Sequence, residues 1–195
     1  MSDQQLTARG AATRQRIIDV ATREFAEYGI AGARIERVVA AARTNKAQLY
    51  AYFGNKEGLF DAIFFGSLER IVNVVPIDAA DLADWAVRLY DEYLRHPDVI
   101  RLATWARLER RPTGHLVADT DRLDASKLQA IAEAQGAGLV RDGDPFDLMA
   151  MVIAMSMAWS PVSNVYAATI DEPAEVHERR RDLLRDSVRR VVAPG

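Results

Sequence analysis

Lys46, Gln48 and Tyr50 stand within five residues of one another and carry the groups that read the edge of a base pair. The Gln48 amide pairs a donor with an acceptor, which suits adenine. Lys46 suits guanine or a phosphate, and Tyr50 stacks on a thymine methyl or donates to a phosphate. Enzyme chemistry finds no comparable grouping. His96, His115 and His177 are far apart in the chain, there is no glycine-rich phosphate loop or nucleophile elbow, and the carboxylates fall at helix starts or on polar faces. The chain reads as a non-enzyme. It has no cysteine, which excludes disulfides, thiolate metal sites and cysteine nucleophiles. No cofactor and no metal site are expected.

To reach base edges, such residues must project from one side of a helix into a groove about 12 Å wide. A short helix, a tight turn and a second helix with an exposed polar N-terminal half provide that geometry, and residues 34–53 have the matching pattern. Ile35, Val38 and Val39 give a short helix an apolar face. Asn45 is a good N-cap for the next helix, whose Leu49 and Phe53, four apart, face the core. That leaves Lys46, Ala47, Gln48 and Tyr50 on or near the opposite side. Ahead of this unit, Ile17, Ala21, Phe25 and Tyr28 predict a helix over 13–28, ended by Gly29 in a left-handed conformation with Ile30 as its apolar contact. After it, Asn55 caps a fourth helix that Glu57 favours electrostatically and that Pro76 stops.

The remainder of the chain is helical in the same way, with apolar residues recurring at three and four and no sustained period-2 run. Helices are expected near 78–95, 98–109, 116–137, 145–166 and 174–192, so the fold class is all-α. The 195 residues, 49% hydrophobic, suffice for a core. The net charge of -3 conceals a split: residues 1–56 hold nine basic against five acidic side chains, whereas residues 57–195 are acidic by seven. A positive end that meets phosphates while the rest is repelled orients the molecule on a polyanion. The polar first ten residues are unlike a signal peptide, and no apolar run approaches the length of a membrane span. A cytoplasmic location without membrane association is therefore expected.

Residues 41–60, Ala-Ala-Arg-Thr-Asn-Lys-Ala-Gln-Leu-Tyr-Ala-Tyr-Phe-Gly-Asn-Lys-Glu-Gly-Leu-Phe, resemble the helix-turn-helix signature of the TetR repressor family. The likeness extends back through Ile35, Gly29 and Phe25, covering roughly 13–62. The resemblance implies a flexible arm over 1–12, a three-helix DNA-binding domain over 13–56 and a helical effector-binding and dimerisation domain over 57–195. It places Arg43, Thr44, Asn45, Lys46, Ala47, Gln48, Tyr50 and Tyr52 at DNA, with Lys56 on a phosphate. A helix start suits that last role, because its free N–H groups already favour an anion. Two departures stand out. The family's usual turn glycine is replaced by Arg43, and Ala33 and Arg34 stand where it starts the second helix with Ser or Thr.

Leu148 to Ser160 is a stretch of thirteen uncharged residues, apolar nearly all round. A helix of that kind is buried on two sides, by its own domain and by a partner. Met151, Met155 and Val162, with Val176, Leu183, Leu184 and Val188 further on, are the expected homodimer interface. The resemblance adds a small-molecule effector, apolar or aromatic, in a cavity among the middle helices, with Phe64, Leu68, Trp85, Leu89, Trp105, Met155 and Trp159 as candidate walls. The function so implied is a ligand-released repressor on a palindromic double-stranded DNA operator. The competing expectation is a helical interaction protein whose helix-turn-helix has decayed and no longer binds specific DNA.

Overall fold

The computed structural model describes residues 8–114 and 121–195, and the side chains within them from Arg9 to Gly114 and from Ala125 onward. Among the described residues there are nine helices and no strand: α1 (Ala8–Gly32), α2 (Ile35–Ala41), α3 (Lys46–Phe53), α4 (Lys56–Val74), α5 (Leu82–Arg95), α6 (Pro97–Arg110), α7 (Asp121–Gly136), α8 (Pro145–Ser156) and α9 (Ala174–Val192). None is long and apolar enough to cross a membrane. The chain divides into two compact units, one of residues 1–68 and 101–111, the other of 69–100 and 112–195.

In the first unit α1 lays Ile17, Ala21 and Phe25 inward, all fully buried, against Leu49 of α3 and Leu59 and Phe60 of α4. Phe25 meets Phe60 edge-on at 5.3 Å and Phe60 stacks on Phe64 at 5.8 Å. Each such side chain contributes about 1.5–3 kcal/mol by leaving water. This packing moves the expected domain limit. Residues 57–68 and 101–111 belong with the DNA-binding helices because the Phe60–Phe64 face of α4 and the polar side chains of α6 are spent on α1. The expected arm also shortens. Residues 8–12 are already helical in α1, where the Thr13 hydroxyl donates to Arg9 O at 3.0 Å, while residues 1–7 lie outside the described residues.

The second unit packs α5 against α8 and α9, with α7 on α8. Trp85, Leu89 and Tyr90 of α5, Ile131 of α7, Val152 of α8 and Leu184 and Val188 of α9 form its core. Expected helix limits shift where polar or proline chemistry intervenes. Asp78 Oδ1 accepts from Ala80 N–H at 3.0 Å and forms a turn, so α5 starts later, with Asp81 capping Asp84 N–H at 3.0 Å. The helix expected over 145–166 ends at Ser156. Pro161 lacks the donor that would continue it and its ring would clash with the carbonyl four residues back. Val162 is therefore in a turn rather than on a helix face. Residues 115–120, which include His115 and the expected start of α7, lie outside the described residues.

Two expected interface residues are corrected here. Leu184 and Val188 are buried in their own unit's core, because the apolar residues of α9 lie on two sides of the helix and this side faces α5. Leu183 and Met151 remain exposed, at 59% and 49%, and Val162 is exposed as well. Met155 and Val176 are half-buried.

Candidate nucleic-acid interface

The turn between α2 and α3 is closed by backbone. Arg43 N–H donates to Ala40 O at 3.3 Å and Thr44 N–H to Val39 O at 3.0 Å, the paired bonds of a Schellman cap. This closure puts the residue after the cap in the left-handed region, and Arg43 has φ 52°. The absent glycine is thus tolerated as strain, of about 1–2 kcal/mol relative to glycine. Arg43→Gly is expected to raise unfolding free energy by about 1 kcal/mol in a urea titration. An unchanged or lowered value would show that the Arg43 side chain repays its strain locally.

The second departure is also compensated. Arg34 holds the N-cap position of α2 with no side-chain cap of its own. Glu24, ten residues earlier on α1, supplies it: Oε1 accepts from Arg34 N–H at 2.8 Å, and the same carboxylate pairs with Arg37. Burial pushes the Glu24 carboxyl up, but its bonds from Arg37 and Arg34 N–H outweigh this and leave it below the usual range. Arg37 also lies over the Tyr28 ring at 4.3 Å.

α3 begins as expected, with Asn45 Oδ1 accepting from Gln48 N–H at 2.9 Å. Leu49 and Phe53 are buried, and Arg43, Asn45, Lys46, Ala47, Gln48 and Tyr50 are exposed. The half-buried Thr44 donates its hydroxyl to Gln48 Oε1 at 2.6 Å, which orients the amide. Lys46 is paired with Glu36 of α2, an exposed contact that raises the ammonium's proton affinity and lowers the carboxyl's. Salt screens such a pair, and a phosphate competes for the same ammonium.

Two residues placed at DNA by resemblance have partners inside the protein. The half-buried Tyr52 donates its hydroxyl to Gly10 O at 3.3 Å and sits edge-on to Phe53, so it fastens α3 to the start of α1. Lys56 opens α4 and donates to Ala31 O at 3.0 Å. Asn55 caps that helix as expected, accepting from Gly58 N–H at 2.7 Å. A side chain at Gly58 would overlap the Phe53 carbonyl oxygen, so this position holds the α3–α4 corner tight. Arg14 lies over Phe53 at 5.2 Å.

Glycine at position 29 is required twice over. Its φ of 73° and ψ of -177° form a conformation almost confined to glycine, and a Cβ there would overlap Glu109 Oε1 and crowd the Trp105 ring. The two oxygens of Glu109 accept from Ile30 N–H at 2.8 Å and Ala31 N–H at 2.7 Å, capping the turn that follows the kink. Trp105 and Arg101 both donate to Ala26 O, at 3.1 and 2.8 Å. Glu24, Glu36 and Glu109 carry no sequence signal for these roles, because their partners are 10 to 79 positions away.

The expected effector walls separate. Phe64, Leu68 and Trp105 belong to the first unit, with Phe64 stacked on Phe60 and Trp105 bonded to α1. Trp85, Leu89, Met155 and Trp159 belong to the second, where Trp85 donates to Val75 O at 3.2 Å and Leu89 is core. Of the seven, Trp159 borders a cavity, a narrow one shared with Tyr93, Ser156 and Ser160. Phe64, Trp85 and Leu89 are buried, and Met155 packs against the second unit's core.

Comparison with known proteins matches residues 17–63 to the family described as bacterial regulatory proteins, tetR family, and residues 81–190 to the tetracyclin repressor-like C-terminal domain. The HTH-type transcriptional repressor SCO4008 of Streptomyces coelicolor is 34% identical over 184 residues, spanning 93% of this chain and 95% of that protein. The HTH-type transcriptional repressor NicS of Pseudomonas putida is 28% identical over 141 residues, 67% of this chain and 66% of its own. Among solved structures, SCO4942 of Streptomyces coelicolor superposes with a TM-score of 0.77 at 33% identity, covering 92% of this chain and 98% of that one.

Proposed function

The chain belongs to the TetR family of bacterial transcriptional regulators, and from that premise we propose that it is a repressor that reads its operator through the exposed side of α3. The observation that carries this reading is the orientation of Gln48. Its backbone is fixed by the Asn45 cap, its amide is held by Thr44, and it stands between exposed Lys46 and Tyr50. A decayed helix-turn-helix has no need of such positioning, nor of a left-handed Arg43 to keep the turn closed. Lys46 exchanges Glu36 for a phosphate or guanine on binding. Arg43 at the turn and Lys56 at the start of α4 add positive charge beside it.

Family members of this kind act as dimers, and Met151, Leu183 and Val162 on or beside α8 and α9 are the exposed apolar residues that support a two-fold contact here. A two-fold pair of recognition helices reads a palindromic operator. Effector binding in the second unit then shifts the dimer toward a state of lower operator affinity, to the extent that the effector prefers that state. α4 carries residues of both units in one helix, which makes it the natural path for that shift.

Selection of binding sites from random duplex DNA tests the reading. A palindromic sequence should be enriched, and its affinity should fall steeply with salt. Gln48→Ala should relax preference at one base pair per half-site by about 1–3 kcal/mol, leaving the other positions unchanged. Enrichment of no sequence, or an affinity indifferent to salt, would overturn the proposal.

A further inference from the structure

A cavity of about 210 Å³ lies within the second unit between the end of α5 and the start of α9. It is separate from the apolar wall of tryptophans that the sequence suggests, and its lining sets charged side chains beside an apolar share. One of its residues, His177, is 6% exposed, and its Nε2 has no hydrogen-bond partner. A buried polar atom left without a partner costs about 1–3 kcal/mol, so its presence beside a cavity needs an explanation.

The surrounding hydrogen bonds define what Nε2 offers. Nδ1 of His177 is 2.7 Å from the Tyr90 hydroxyl. A phenol hydroxyl is a stronger donor than a neutral imidazole N–H, and an imidazole nitrogen is a stronger acceptor than a phenol oxygen. The Tyr90 hydrogen is therefore directed to Nδ1, and the neutral imidazole carries its own hydrogen on Nε2. The ring edge away from Tyr90 is a buried donor.

The other groups around the cavity have the same polarity. Its two carboxylates are engaged: Glu172 accepts from Arg180, the Tyr166 hydroxyl and Thr169 N–H, and Asp91 from Arg181. Arg95 has only a 3.7 Å contact to Glu92 and is mostly exposed. α9 starts behind Pro173, which has no side chain to cap it, and Ala174 of that first turn lines the cavity. Helix N–H groups at such an end favour an anion. Leu94, Ile170 and Ala174 add an apolar side. The volume is below the roughly 300 Å³ at which sites for drug-sized ligands begin.

We propose that this cavity binds a small organic monocarboxylate, its carboxylate on His177 Nε2–H and the start of α9 and its hydrocarbon part on Leu94 and Ile170. The regulatory consequence rests on the effector-responsive reading above, while the binding does not.

The test uses the full chain with butyrate, hexanoate and benzoate, each compared with its neutral amide. Thermal unfolding and the ¹⁵N resonance of His177 Nε2 are followed without DNA. At least one acid should give saturable binding, a Tm rise of about 5 °C or more at roughly a hundredfold excess over Kd, and a shifted Nε2 resonance. Its amide should do neither. His177→Gln should weaken the acid about tenfold. Ala174→Leu, at an exposed helix position, fills the cavity without touching the Tyr90–His177 bond and should abolish binding. The proposal is overturned if no acid binds, if the amides bind equally, or if Ala174→Leu binds as the parent does. Operator affinity measured with the bound acid separates the two readings. Binding with unchanged operator affinity leaves the site standing and removes its regulatory role. Release of the operator by another compound, with no acid bound, does the reverse.

Discussion

Gly29→Ala is expected to destabilise the DNA-binding unit by about 3 kcal/mol or more and to lower operator affinity with it. The substitution meets two obstacles at once. The backbone at residue 29 has φ 73° and ψ -177°, which an L-residue adopts only under strain, and the added methyl group displaces the Glu109 carboxylate. Displacing Glu109 then leaves Ile30 and Ala31 N–H without their acceptor. Urea unfolding followed by the Trp105 fluorescence reads the loss. The pair Gly29→Ala and Glu109→Ala should cost less together than the sum of the two alone, because the first already removes what the second deletes. Strict additivity would separate the kink from the cap.

Glu24→Ala should cost about 2 kcal/mol, and the whole recognition motif depends on the lost group. α2 has no cap of its own, so its first turn loses an acceptor at Arg34 N–H while Arg37 loses its carboxylate. Acid should imitate the mutation. The Glu24 carboxyl titrates below its ordinary value of 4.5 in the folded protein. Its contribution is therefore complete above the unfolded value and is lost as pH falls through the lower folded one. Unfolding free energy measured from about pH 5 to about pH 3 should fall more steeply in the parent than in Glu24→Gln. Parallel curves would show that the carboxylate's charge is immaterial to the cap.

Much of the motif is legible in the sequence because it is local. Asn45 and Asn55 cap helices three residues on, Leu49 and Phe53 share a face by their spacing, and Gly29 marks a positive-φ break in the first helix, whereas the positive φ of Arg43 is signalled only by the glycine that the family has there. The missing cap of α2 is legible as a defect, but its remedy is not. Glu24 looks like any acidic residue on a polar face until α1 is folded over α2. Tyr52 and Lys56 show the converse: their types suit a phosphate, and only the packing reveals the carbonyls of Gly10 and Ala31 within reach. α9 shows the same limit in a helix whose bounds, Ala174–Val192, coincide with those expected. Its apolar residues are spread over more than one side, and spacing alone does not say whether Leu183 or Leu184 faces inward. The effector walls are not legible in the same way, because large aromatic residues are also the usual material of a core, and Trp85 and Phe64 are buried as such.

Glu109 stands 78 and 79 positions beyond the N–H groups it caps. A ribosome delivers α1, α2 and α3 long before it delivers that carboxylate, and the turn after Gly29 waits with its donors open until α6 has emerged. The first unit thus begins with the first residues synthesised, yet it cannot be completed until α6 has followed. A nascent chain stalled before residue 109 carries the whole recognition helix, yet it lacks the acid that closes the corner behind it.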